Sequence, residues 1–348
     1  MIDLDDKTTI AKLDKKNVYG SLRMLPDQSQ YVWELSKVVR FPDIYKSAEN
    51  IILCGMGGSR YGAYIVQNLY RNQLKVPFSG YGDYHLPAFV NKKSLFILSS
   101  YSGDTEEPLN SAQEAIRKNI PIVGLTGGGK AAEMSKTYNF PSILFDQKYN
   151  PSGQPRLGTG YMVFGTIALL ARLGYLSVSN EEIMTSINEL KQNSNDIENQ
   201  AKQIAKALFA SIPVFFAAEF LNGNTHVMRN QFNETAKSFS AFSELPELNH
   251  HLMEGLKNPA DKKLKVMFID SDFYSEKLKK RFSLTKDVVE QNGIPQITYK
   301  PKGSTMLSQM LNTLSFGGYA SFYLALLYGQ DPSVIPWVDY FKNKLAKA

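Results

Sequence analysis

This chain has a single cysteine, two tryptophans and four histidines among its 348 residues. With only Cys54 available no intrachain disulfide can form, so a reducing compartment suits it. Cys54 sits in an apolar run, where an inert core thiol is expected rather than a nucleophile. Basic leader residues are also missing: Met1 to Asp6 is acidic, which argues against a secretory signal and predicts a cytoplasmic location. No uninterrupted apolar run reaches 18 residues, so no membrane span is expected. What is present is ordinary globular composition, 43% hydrophobic and 21% charged, long enough for two cores. The net charge of +6 is spread over predicted helix faces; its densest cluster, Lys277 to Arg281, lies in an amphipathic segment. That distribution favours solvated helix over a nucleic-acid surface, while a mild positive bias suits an anionic metabolite.

The rest of the chain is organised around SLFILSSYSGDTEE, Ser94 to Glu107. Leu95 to Leu98 predicts a strand buried on both faces. Ser99, Ser100, Ser102 and Thr105 then lead into a helix opened by Glu106, Glu107 and Pro108. A buried strand that ends in hydroxyls and runs into a helix start is an anion site, because free N–H groups and the helix dipole converge there. With no cation among the hydroxyls, a phosphate ester held by neutral donors fits. The plainer alternative is an N-cap and a turn.

Strand, turn and helix recur. Ile51 to Cys54 precedes Gly55-Met56-Gly57-Gly58-Ser59 and a helix over Tyr61 to Tyr70, and Ile120 to Leu125 precedes Thr126-Gly127-Gly128-Gly129-Lys130. GMGGSR lacks the spacing of a dinucleotide fingerprint but serves as a phosphate or sugar turn. The alternation predicts a doubly wound parallel sheet, with all three turns opening on the carboxyl edge where ligands bind. Residues 1–40 read as a helical extension in which Trp33, Leu35, Val38 and Val39 share a buried face. A first domain over 41–175 and a second over 176–348 follow, divided by a long amphipathic helix from Glu181 to Leu208. Strands are expected at Val214 to Ala218, Lys265 to Ile269 and Gln296 to Tyr299, repeating the first organisation without its glycine-serine turns. Both domains are thus α/β, with helices on both sheet faces.

Three further stretches carry chemistry. Asn150 to Gly160, NPSGQPRLGTG, is a loop whose one charge is Arg156. A helix over Asn224 to Lys237 ends in Asn233-Glu234-Thr235-Ala236-Lys237, and ELPELNHH follows with His250 and His251. Carboxylate and imidazole are the equipment of acid–base chemistry at neutral pH. A surface acid and a capping histidine are the plainer readings. His250 and His251 with Glu247 or Glu254 could imitate a metal site, but adjacent histidines share a helix face poorly.

The GMGGS, SYSGDT, PSGQPR, NETAK and ELPELNHH segments together resemble the bifunctional phosphoglucose/phosphomannose isomerases, built from two sugar-isomerase (SIS) domains. The likeness runs the length of the chain. It implies interconversion of glucose 6-phosphate, and mannose 6-phosphate, with fructose 6-phosphate by a metal-independent enediol proton transfer that needs no cofactor. In that reading Ser59, Ser100, Ser102 and Thr105 hold the phosphate, and Gly57 and Gly58 border the pocket. Arg156 stabilises the enediolate, and Glu234 moves the proton between C2 and C1. His250 assists ring opening from the other subunit of a homodimer, and Lys342 comes from a closing C-terminal helix. Ser333 is the residue nearest to the family's threonine linked to mannose phosphate, and departs from it. Arg60 and His251 are further departures expected at the pocket rim. A non-catalytic sugar-phosphate-binding SIS regulator would need the serine loop but not Glu234, His250 and Arg156 together. An SIS isomerase for another sugar phosphate would lack NETAK and LPELNH.

Overall fold

The computed structural model describes residues 2–345 and 347. Three helices lead in: α1 (Lys7–Leu13), α2 (Val18–Arg23) and α3 (Leu25–Ser36). Val32 and Trp33 are buried as amphipathic spacing requires, but Val38 is 76% exposed. The expected common face fails there because α3 stops at Ser36, and beyond its end the 3.6-residue period no longer sets which way a side chain points.

The first sheet is built from β1 (Asn50–Cys54), then α4 (Tyr61–Leu69), β2 (Phe78–Tyr81), β3 (Ser94–Ser100), α5 (Glu106–Arg117), β4 (Ile122–Thr126), α6 (Gly129–Tyr138) and β5 (Ser142–Leu144). Its strands are all parallel, in the order β2-β1-β3-β4-β5. Every residue of β3 is buried, as a central strand covered by helices on both faces must be. Alternation sorts β1 between two cores. Ile51 and Leu53 join the large central cluster, while Ile52 and Cys54 join a smaller one with Leu109, Ala112 and Ala131 of α5 and α6. Burial pushes the Cys54 thiol up, which keeps it protonated.

The apolar helix α7 (Thr159–Arg172) and the long α8 (Asn180–Leu208) lead to the second half. Ser179 caps α8 by accepting from the Glu182 N–H at 3.0 Å. Then follow β6 (Ile212–Ala218), α9 (Asn222–Glu234), β7 (Ala241–Leu245), α10 (Leu252–Gly255), β8 (Leu264–Ile269), α11 (Glu276–Gln291), β9 (Gln296–Tyr299), α12 (Met306–Leu327) and α13 (Pro336–Leu345). This sheet is also fully parallel, in the order β7-β6-β8-β9. Every residue of α12 from Leu307 to Leu327 is buried, so it is a core helix. The central hydrophobic cluster takes side chains from both sheets, which welds the two halves through one interior.

The topology fixes where the halves can cooperate. Because β6 and β7 are parallel, α9 between them runs the other way, so its last residue, Glu234, lies at the strand-start edge of the second sheet. The glycine and serine turns lie at the strand-end edge of the first.

Candidate active site

Register places Cys54 beside Leu98, and Ser100 beside Thr126, so the turns after β1, β3 and β4 open on one edge. The turns are bonded to one another. Ser59 Oγ accepts from the Tyr101 N–H at 2.9 Å, and the Ser59 carbonyl accepts from Ser99 Oγ at 2.6 Å. Ser100 Oγ accepts from the Gly103 N–H at 3.1 Å and lies 3.4 Å from Thr105 Oγ1. Thr105 stands at the N-cap of α5 with no capping bond from its side chain, so the first N–H groups of that helix keep no side-chain partner. Exposed Ser102 completes the hydroxyl set and accepts from the Asp104 N–H at 3.3 Å. Asp104 itself turns away and accepts from the Lys130 N–H at 3.1 Å. These are neutral donors around a helix start, the arrangement that holds a phosphate by hydrogen bonds.

Gly58 joins this loop set to the turn that carries Arg156. A Cβ at that position would stand 3.0 Å from the Arg156 Cα and 3.1 Å from the Pro155 carbonyl, so only glycine allows the close approach. Gly57 beside it has φ of 49°, in the left-handed region. Arg156 occupies a short helical turn, Pro155–Leu157, and is 3% exposed. Its Nη1 donates to Gln154 Oε1 at 3.0 Å, and its Nη2 donates to the carbonyls of Pro332 and Ser333 at 2.8 and 2.9 Å. Its Nε is buried, has no hydrogen-bond partner among the described residues and stands 4.0 Å from Glu234 Oε2. A buried donor left unpaired costs free energy unless a ligand completes it.

Burial raises the Glu234 pKa above the ordinary carboxylate value, while the charges of Arg156 and Lys342 pull it back down. Lys342 lies exposed on α13, within electrostatic reach of the carboxylate. Ser333 is buried, and its hydroxyl donates to Asp331 Oδ1 at 2.6 Å. It therefore holds Arg156 through its carbonyl, with its hydroxyl already engaged.

His250 is not brought to this pair within the chain. Glu234 and Ala241, the first residue of β7, line one cavity of about 390 Å³ with Arg229, Asn233 and Phe242. His250 follows the other end of that strand, in the Glu247–His250 turn. Five strand residues at about 3.3 Å each put some 15 Å between those ends. His251 is exposed and 4.0 Å from Glu247. Among the described residues no three His, Cys, Asp or Glu side chains gather as a metal site.

Two features carry no sequence motif. Tyr61, first residue of α4, is fully buried; its hydroxyl has no hydrogen-bond partner among the described residues and has Asn230, Glu234 and Arg156 as polar neighbours. His226 is stacked on Tyr64 at 3.6 Å between ring centres, faces Phe242 at 4.7 Å, and its Nε2 lies 2.7 Å from Arg229 Nη2. Burial, then the charges of Arg229 and Arg60, lower its pKa to about 4, so it is neutral glue between α4, α9 and β7. Arg60, expected to alter the pocket rim, is tied to α4 and β2. Its guanidinium lies over the Tyr64 ring at 5.2 Å and donates to the Gly80 carbonyl of β2.

Two parallel α/β sheets, a hydroxyl loop at a helix start and a buried arginine against a carboxylate define a phosphosugar protein of the SIS class. Residues 197–345 match the bacterial phospho-glucose isomerase C-terminal SIS domain. The chain is 30% identical over 326 residues to a bifunctional phosphoglucose/phosphomannose isomerase of Aquifex aeolicus, covering 92% of this chain and 96% of that one. A bifunctional phosphoglucose/phosphomannose isomerase of Caldicellulosiruptor bescii is 29% identical over 346 residues, 95% of this chain and 99% of its own. The tagatose-6-phosphate ketose/aldose isomerase structure from Escherichia coli shares the fold, with a TM-score of 0.69 at 14% identity, covering 96% of this chain and 97% of that one. The chain belongs to the bifunctional phosphoglucose/phosphomannose isomerase family.

Proposed function

We propose that this protein interconverts glucose 6-phosphate, and through the same site mannose 6-phosphate, with fructose 6-phosphate. The observation that carries the reading is the Arg156–Glu234 pair, 4.0 Å apart and connected through Gly58 to the hydroxyl loop. Ser59, Ser100, Ser102 and Thr105 hold the phosphate, which fixes the sugar's far end and orients C1 and C2. Glu234 takes the proton from C2 and returns it to C1. As the enediolate forms, its charge falls beside the unpaired Nε–H of Arg156. Removing a transferring base costs about 10²- to 10⁴-fold. Glu234→Gln is therefore expected to lose roughly three orders of magnitude in kcat with glucose 6-phosphate while KM changes little. Activity within tenfold of the parent would mean that the carboxylate is only the end of a helix.

Ring opening needs an acid–base group, and His250 supplies it from a second copy of the chain, since its own strand holds it away from Glu234. A homodimer is also supported by α13, which buries none of its described side chains yet carries Trp337 at 81%, Phe341 at 63% and Tyr340 at 57% exposure. The halves act as an N-terminal helical extension (1–40), a phosphate-binding domain (41–175) and a second domain (176–348) that supplies the base. Cytoplasmic metabolism suits a chain whose lone thiol is buried.

A further inference from the structure

Lys237 is a half-buried cation that the proton transfer does not use. It follows α9 in the left-handed region at φ of 52°, where a residue with a side chain is strained. Burial and the neighbouring Arg156 charge lower its pKa to about 8, with Asp331 acting the other way. Desolvation, a like charge and an unfavourable backbone all oppose this placement, so the contacts Lys237 makes there must offset them. Its Nζ donates to the Thr235 carbonyl at 3.1 Å and to the Asp331 carbonyl at 2.5 Å.

The second contact continues a series. Arg156 Nη2 takes the carbonyls of Pro332 and Ser333, so two cations capture three successive carbonyls. The Asp331 side chain tightens the same turn by accepting from the Ser333 N–H at 2.8 Å and its hydroxyl at 2.6 Å. This turn is the only covalent link from α12, buried along nearly its whole length, to α13, whose described side chains are all unburied. Where α13 lies is therefore set at the turn. The helix carries Lys342, whose charge acts on Glu234.

We propose that Lys237 is a positioning residue: by holding the Asp331 carbonyl beside those held by Arg156, it fixes the turn and keeps Lys342 within reach of Glu234. The inference rests on the reading of Glu234 as the base. It predicts coupling between two residues that need not touch, which a general contribution to stability does not.

A double-mutant cycle with glucose 6-phosphate tests it. Lys237→Met and Lys342→Ala should each lower kcat by about tenfold, with KM within about threefold because the phosphate loop is untouched. Lys237→Met in the Lys342→Ala background should cost less than about twofold more. Independent, multiplying effects would overturn the proposal, as would an unchanged kcat in Lys237→Met. Lys237→Gln, which keeps a donor for the Asp331 carbonyl, should retain kcat within about twofold, and if Lys237→Met does not fold, Lys237→Ala takes its place in the cycle. Wild-type protein inactive on glucose 6-phosphate would overturn the reading of the site and this inference with it. An active enzyme with independent effects would overturn only the role of Lys237.

Discussion

Glu234 is held between opposing influences, and its titration reports them. Burial raises its pKa above the ordinary 4.5, while Arg156 and Lys342 lower it. In the proposed reading Glu234 acts as the base only when ionised, so activity is expected to fall on the acid side at a pH above that ordinary value. Removing a nearby positive charge disfavours the carboxylate and raises its pKa further. In Lys342→Ala the acid limb of the kcat/KM profile should therefore move to higher pH. The stability linkage has the matching sign. A folded-state pKa above the unfolded one means folding favours the protonated form, so this group's contribution declines as pH rises from about 4.5 through the folded value. An acid limb that stays put or moves down in Lys342→Ala would show that the lysine charge does not reach the base. At this scale Glu234 and Arg156 could be singled out as candidates because each stands in a short motif that carries the family resemblance. Tyr61 and Lys237 could not, since their polar neighbours lie far off in sequence: the Lys237–Asp331 contact spans 94 positions.

Local order decides which elements were legible. The β3–α5 unit was read correctly because a wholly buried strand, a run of hydroxyls and an acidic first helical turn each leave their own trace. Strand β7 was not foreseen. It lies at the edge of its sheet with only Leu245 fully buried, so it shows no apolar run. The end of α9 was placed three residues late for a similar reason: Thr235 and Ala236 are buried without being helical. The hydroxyl loop also depends on a contact that propensity does not reveal. Gly103 has φ of 83°, and a Cβ there would fall onto the Gly128 carbonyl of the neighbouring turn. Gly103→Ala must therefore displace one turn from the other. A destabilisation of roughly 3 kcal/mol is expected from overpacking and strain. KM for the sugar phosphate should rise at least tenfold, while kcat falls less, since Arg156 and Glu234 stand outside the loop. Thermal unfolding and initial rates on one preparation would check both. An unchanged KM would place the phosphate elsewhere than at the start of α5.

The arrangement of the whole molecule underlies the proposal that the site is completed by a second chain. The carboxyl edge of the first sheet supplies the hydroxyl loop, and α9, running against its sheet, carries Glu234 to Arg156 beside that edge. The same geometry sends His250 to the far end of β7, about 15 Å of strand away. If a second copy returns that imidazole, Glu234 and His250 of each working site belong to different chains. Glu234→Gln and His250→Ala proteins would each be impaired alone. In their hybrid, one site combines both lesions and the other combines the intact Glu234 of one chain with the intact His250 of its mate. Random exchange makes about half the dimers hybrid, each with one restored site of two, so about a quarter of parental activity should return. Mass spectrometry of the mixture would establish that hybrids formed. Recovery near that fraction requires a site shared across a two-fold interface. Hybrids without recovery would mean that His250 takes no part from a partner chain, and ring opening would then fall to a group on the same chain as Glu234.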